Sequence, residues 1–165
     1  MPFQSNVRIN QTTGIVGDVV LQGPLMAQPG ILSSTNAANN VIGRAFRNAA
    51  NSDLNVSADA ASGEFAGILA NSKVYATSGT ASGGTLAPTL ALPNNTEVEL
   101  VFFTAGILVE LSTDAAIGEN VFYATATGIL AADPSETLAD HVLIPNARVV
   151  RNNISSAGLA IIELR

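Results

Sequence analysis

The stretch ELVFFTAGILVEL, Glu99 to Leu111, is the most apolar run in the chain, and its only charges are Glu99 and Glu110. Such a run can be a membrane segment, a buried helix or a pair of strands. It is too short for a membrane helix, which takes about 20 apolar residues. Thr104, Ala105 and Gly106 stand at its middle, and a three-residue loop ending in a glycine with positive φ suits a β-hairpin. Pairing across that loop sets Phe103 opposite Ile107, Val101 opposite Val109 and Glu99 opposite Leu111 on one face. Phe102 opposite Leu108 makes the other face apolar as well. A hairpin in a lone sandwich buries only one face. Exposing the second would forfeit roughly 1.5–3 kcal/mol per large side chain. The expectation is a second layer or a subunit contact, with Val101, Phe103, Ile107, Val109 and Leu111 as the subunit-interface candidates.

Composition points the same way. The 165 residues suit one domain, and apolar residues make up 47% of the chain but aromatic residues only 5%, so a core that is modest or shared with a neighbouring subunit is expected. Charged residues are 12% of the chain, about half the usual share. The net charge of -6 leaves no basic face for phosphate, which argues against nucleic-acid binding. Cysteine is absent, so disulfides, thiolate nucleophiles and cysteine-ligated zinc are excluded. The N-terminal MPFQSNVRIN has no apolar run of signal-peptide length, and synthesis in the cytosol without membrane insertion is expected.

Short apolar runs punctuated by Gly or Asn follow the opening stretch: GENVFYAT (118–125), GILAA (128–132), NARVVRN (146–152) and GLAIIEL (158–164). SGEFAGILA and KVYATSG precede it, and TSGTASGG (77–84) reads as a surface loop. This spacing predicts an all-β sandwich or barrel. DPSE offers Asp133 as N-cap, Pro134 and Glu136 for one short helix, closed by Pro145. In NNVIGRAFRNAAN periodicity alone leaves helix and strand open, and a strand VIGRAF is the reading taken. Residues 1–40, rich in Gly and Pro, read as an extended arm that would lie along a sheet edge, and residues 41–165 as a single β-rich domain.

Chemistry is thinly supplied. His141 is the only histidine and stands beside Asp140, but no Gly-x-Ser-x-Gly elbow accompanies it, so a solvated or capping histidine is the better account. Glu97 and Glu99 would lie about 7 Å apart on one strand face, near the spacing of a glycosidase pair, yet exposed sheet carboxylates are far commoner. DAASGE (59–64) only loosely resembles a calcium loop. No phosphate-cradling glycine motif is present. The scattered arginines, among them Arg44, Arg47, Arg148 and Arg151, read as ordinary surface or interface contacts. No catalytic residue, metal site or cofactor is expected.

The opening MPFQSNVRINQTTGIVGD, the VIGRAF run, GEFAGIL, IGENVFYATATGIL and the closing GLAIIELR occur in an order that resembles the structural cement, or head decoration, proteins of tailed bacteriophages. The resemblance implies a small jelly-roll-like protein without enzymatic activity. It implies a homo-oligomer, dimer or trimer, on the outer capsid surface that bridges major capsid subunits. On that footing Phe3, Val7, Ile9, Ile15 and Val16 of the arm become candidates for capsid contact. The rival reading is a carbohydrate- or receptor-binding β module of a phage tail fibre. It wants exposed aromatics, and the chain has six Phe, two Tyr and no Trp.

Overall fold

A computed structural model describes residues 14–50, 52–72, 91–152 and 154–165. KVYATSG, TSGTASGG and the arm residues Phe3, Val7 and Ile9 lie outside the described residues. The chain is all-β, with strands β1 (Leu25–Leu32), β2 (Ala45–Asn48), β3 (Asn55–Ser57), β4 (Phe65–Leu69), β5 (Glu97–Leu111), β6 (Asn120–Ala124), β7 (Leu130–Asp133), β8 (His141–Arg151) and β9 (Gly158–Leu164). A 3₁₀ turn at Ala37–Asn39 is capped by Asn36, whose side chain accepts from the Ala38 amide at 3.1 Å. Among the described residues no helix is long and apolar enough to cross a membrane.

The decisive stretch is one strand, not a hairpin. β5 runs unbroken through Thr104, Ala105 and Gly106. Two irregularities replace the expected loop. On one edge Met26 pairs with Phe103 and Ala27 with Val101, which leaves Phe102 as an extra residue. On the other, Thr104 pairs with Leu164 and Ile107 with Ile162, so Ala105 and Gly106 face a single residue, Glu163. β-Bulges of this kind bend and twist a strand without ending it. Gly106 serves a close approach: a Cβ there would stand 2.6 Å from Leu21.

β5 is the shared strand of two closed circuits. Val101 pairs with both Ala27 and Ile68, Thr104 with both Leu25 and Leu164, and Leu111 with both Leu130 and Gly158. One edge of β5 therefore carries β1 and then β7, and the other carries β4 and then β9. The first circuit is β1-β3-β2-β4-β5 and closes through β1–β5. The second is β5-β7-β6-β8-β9 and closes through β5–β9. Each has a core. Leu32, Phe46, Leu69 and Leu100 fill the first. Val101, Ile107, Val109, Leu111, Leu130 and Ile162 belong to the second.

This arrangement explains the two-sided greasiness of β5 without a second subunit, because its residues supply both cores of its own chain. Val101, Ile107, Val109 and Leu111 are all at most 1% exposed. They cannot touch another copy while this fold persists, and the hairpin interface drawn from the sequence is corrected accordingly. Of the five interface candidates only Phe103 keeps a partly open side chain.

The other elements follow local chemistry. VIGRAF yields a strand, but it begins at Ala45, because Gly43 adopts φ 81° in the turn before it. No helix forms at DPSE. Asp133 ends β7, and its side chain accepts the Ser135 amide at 2.7 Å in an Asx turn, a local bond that competes with helix formation. Pro145 lies inside β8, where the step from Leu143 to Arg148 faces the shorter step from Asn120 to Phe122. A bulge is one of the few places in a strand that tolerate proline.

Residues 25–32 of the expected arm form β1, so the boundary at residue 40 does not coincide with a break in packing. Upstream, the Gly17 amide donates to Leu108 (2.7 Å), the Val20 amide to Gly106 (2.9 Å) and the Leu108 amide to Asp18 (2.9 Å). Residues 17–20, like β1, lie along a strand edge. That edge is β5 of its own chain.

Candidate functional site

The two circuits are fastened at one turn, residues 125–128 between β6 and β7, where all four carbonyls accept hydrogen bonds from the first circuit. Arg47 Nη2 donates to Thr125 (3.1 Å), Asn39 Nδ2 to Ala126 (3.3 Å), Arg44 Nη1 to Thr127 (3.2 Å) and the Ala45 amide to Gly128 (2.9 Å). Arg47 also donates to the Ala60 carbonyl and lies 5.6 Å from the Tyr123 ring centre. Two arginines read from sequence as ordinary contacts are internal clasps. Burial pushes the Arg44 guanidinium below its ordinary pKa, an effect the Glu110 carboxylate opposes. Burial likewise raises the Tyr123 phenol, against the opposing charge of Arg47.

The residues weighed for catalysis and metal binding have other surroundings. His141 opens β8 and its Nδ1–H donates to the Ala139 carbonyl at 2.7 Å, while Asp140 occupies a left-handed turn position at φ 59°. Glu97 and Glu99 lie exposed on β5, opposite Ile31 and Pro29. Asp59 is engaged by four donors: the amides of Thr35 (2.8 Å) and Asn36 (2.8 Å), Ser57 Oγ (2.7 Å) and Asn39 Nδ2 (3.3 Å). Partial burial alone would raise its carboxyl, but the bonds from Asn36, Ser57, Thr35 and Asn39 outweigh this and hold it below the ordinary aspartate value. Asp59 pins the 3₁₀ turn to β3. Among the described residues no group of three or more His, Asp or Glu could hold a metal ion.

What the surface does offer is apolar contact. Ile15 is 68% exposed and Val16 half-buried, in a turn tied by the Asp18 carboxylate, which accepts the Ile15 amide at 2.9 Å and Asn71 Nδ2 at 2.8 Å. Leu25 and Met26 at the start of β1 are also exposed, and Met26 stands beside Phe103 in the ladder.

A second apolar region lies at the seam of the two circuits. β4 leaves β5 at Val101 and β9 joins the same edge only at Thr104, so Phe102 and Phe103 have no ladder neighbour there. β9 pairs with β8 only from Arg148 onward, which leaves residues 141–147 open on that side. Between these gaps is a cleft of about 480 Å³ lined by Phe65, Phe102, Tyr123, Leu143 and Leu164. Arg165 and Glu163 form an ion pair at its rim, 2.9 Å apart. Sequence reasoning missed this site because it depends on where three ladders stop. The adjacent bulky pair Phe102 and Phe103, which breaks strict alternation, was its one visible trace.

No curated protein sequence matches the chain. A chain in "The capsid of Myoviridae Phage XM1" shares the fold, with a TM-score of 0.62 at 13% identity, over 100% of this chain and 98% of that one. A family model described as "Structural cement protein (E217 gp24/Pam3 gp6)" matches residues 3–165. A match spanning nearly the whole sequence establishes that the chain belongs to the phage structural cement protein family.

Proposed function

We propose that the protein is a cement protein of the outer capsid surface, a homo-oligomer that bridges neighbouring major capsid subunits and stabilises the shell. The family match over residues 3–165 is the observation that carries this reading. The charge of -6 favours the outside, because packaged phosphate would repel an acidic lining. The capsid-facing contacts are assigned to the N-terminal segment, with Ile15 and Val16 extending from the turn at Asp18 and Phe3, Val7 and Ile9 preceding it. Neither nucleic acid nor membrane is a partner in this reading. The tail-fibre alternative gains no support, since Phe46, Phe122 and Tyr123 are buried and Phe65, Phe102 and Phe103 are partly so.

The mechanism is linkage. A protein that binds only the assembled lattice stabilises that state, by about 2.7 kcal/mol per site at a free concentration 100 times Kd. Purified protein is expected to cosediment with capsids and to raise their melting temperature. Equal melting temperatures for decorated and bare capsids would refute the cement role.

A further inference from the structure

β1, β2, β3, β4 and β5 hold in the first circuit the places that β5, β6, β7, β8 and β9 hold in the second. Direction repeats too: β1–β3 and β5–β7 are parallel, and every other neighbouring pair in either circuit is antiparallel. So does register. Ala45, Ile68 and Val101 lie abreast across β2, β4 and β5, as Asn120, Arg148 and Glu163 do across β6, β8 and β9. Gln28, Leu100 and Leu69 correspond in the same way to Ile107, Ile162 and Val149, and Leu32, Val56 and Asn48 to Leu111, Leu130 and Tyr123.

Bonds outside the ladders match as well. The Gly43 amide donates to the Leu69 carbonyl at 2.8 Å and the Leu69 amide to the Arg44 carbonyl at 3.0 Å; Gly118, Val149 and Glu119 repeat both bonds at 2.8 and 3.0 Å. Both glycines have positive φ, 81° and 95°. Ser34 Oγ accepts the Ala58 amide at 3.0 Å, and Thr113 Oγ1 the Ala132 amide at 2.9 Å. Asp59 and Asp133 follow one residue later, each accepting a serine hydroxyl. Little of this shows in the sequence: IGRAFRN (42–48) and IGENVFY (117–123) share only Ile and Gly. β1 runs antiparallel to its counterpart β5, as β5 does to β9, so the operation relating the circuits reverses strand direction, as a half-turn does.

We propose that the circuits are two copies of one module, sharing β5, and that each module grips the same site on one of two neighbouring, identical capsid subunits. This rests on the cement reading and names how the bridge is made. Two identical subunits about a local two-fold axis present one site twice, turned by a half-turn. A chain that carries one module twice in the same relation meets both. Its second contact is intramolecular, so attachment to the lattice exceeds attachment to a lone subunit by roughly 10²–10⁴-fold. That difference is the preference for the assembled shell on which stabilisation by linkage depends.

Ser33 and Ser112, Glu64 and Val142, and Glu97 and Leu159 are corresponding positions exposed in both modules. Full-length chains with the photo-crosslinker benzoylphenylalanine at one of these positions are bound to capsids, irradiated and digested, and the linked capsid peptides are identified by mass spectrometry. At least one pair is expected to react, and both members of a pair are expected to link to the same capsid peptide or both to stay silent. Linkage from one module only, different peptides from the two members, or no linkage from chains that cosediment with capsids would overturn the proposal. So would equal affinity for isolated capsid subunits and assembled capsids. Chains that fail to cosediment would refute the cement reading itself, and the bridge with it.

Discussion

Arg47 is a buried cation, 6% exposed, with no carboxylate in ion-pair contact among the described residues. The carbonyls of Ala60 and Thr125 accept from its Nη2 instead, while its buried Nε is left without a partner, so it joins β2, the loop after β3 and the end of β6. Removing it orphans two carbonyls at about 1–3 kcal/mol each. Arg47→Ala should therefore lower stability by about 2–6 kcal/mol in urea unfolding. Arg47→Lys should recover only part, because an ammonium lacks the planar fork. Asp59 gives a pH signature. Its folded pKa is depressed, so its contribution is present above the ordinary aspartate pKa of about 4 and is lost as pH falls through the lower folded value. Denaturant midpoints at neutral and strongly acidic pH should show a larger acid loss for wild type than for Asp59→Asn. Neither role was legible in the sequence. An arginine near a glycine, or an aspartate in an Asn-rich chain, carries no sign of which distant carbonyl or amide it will meet.

At the scale of elements, legibility depended on how local the cause was. GLAIIEL is β9 to the residue, and NVFYA and FAGIL stand as β6 and β4, because alternation and flanking turn residues act within a few positions. The middle of β5 misled because glycine has two uses, a tight turn or room for a neighbour, and Leu21 supplied the second from far upstream. Gly128 combines both. It sits at φ 69°, and an added Cβ would run into the Ala45 carbonyl across the joint between circuits. Gly128→Ala should exceed the about 1–2 kcal/mol cost of a left-handed alanine. Gly118→Ala, at φ 95° with no neighbour near the new Cβ, should pay only that conformational part. Thermal melts of the two variants would separate strain from collision.

For the molecule as a whole, the all-β class was readable and the order of strands was not. Every closure is long-range: Leu25 pairs with Thr104, and Thr104 with Leu164. No short-range pattern encodes which edges meet. The apolar character of both faces of the stretch Glu99 to Leu111 is visible in the sequence, but it marks a strand passing through two cores of one chain.

A strand shared in this way also decides how the body answers to force. β5 is gripped along one edge by β1 and β7 and along the other by β4 and β9. Tension directed along it loads those ladders in shear, so their bonds must yield together instead of unzipping one at a time. On the cement reading proposed above, a load carried along β5 is the one the body resists best.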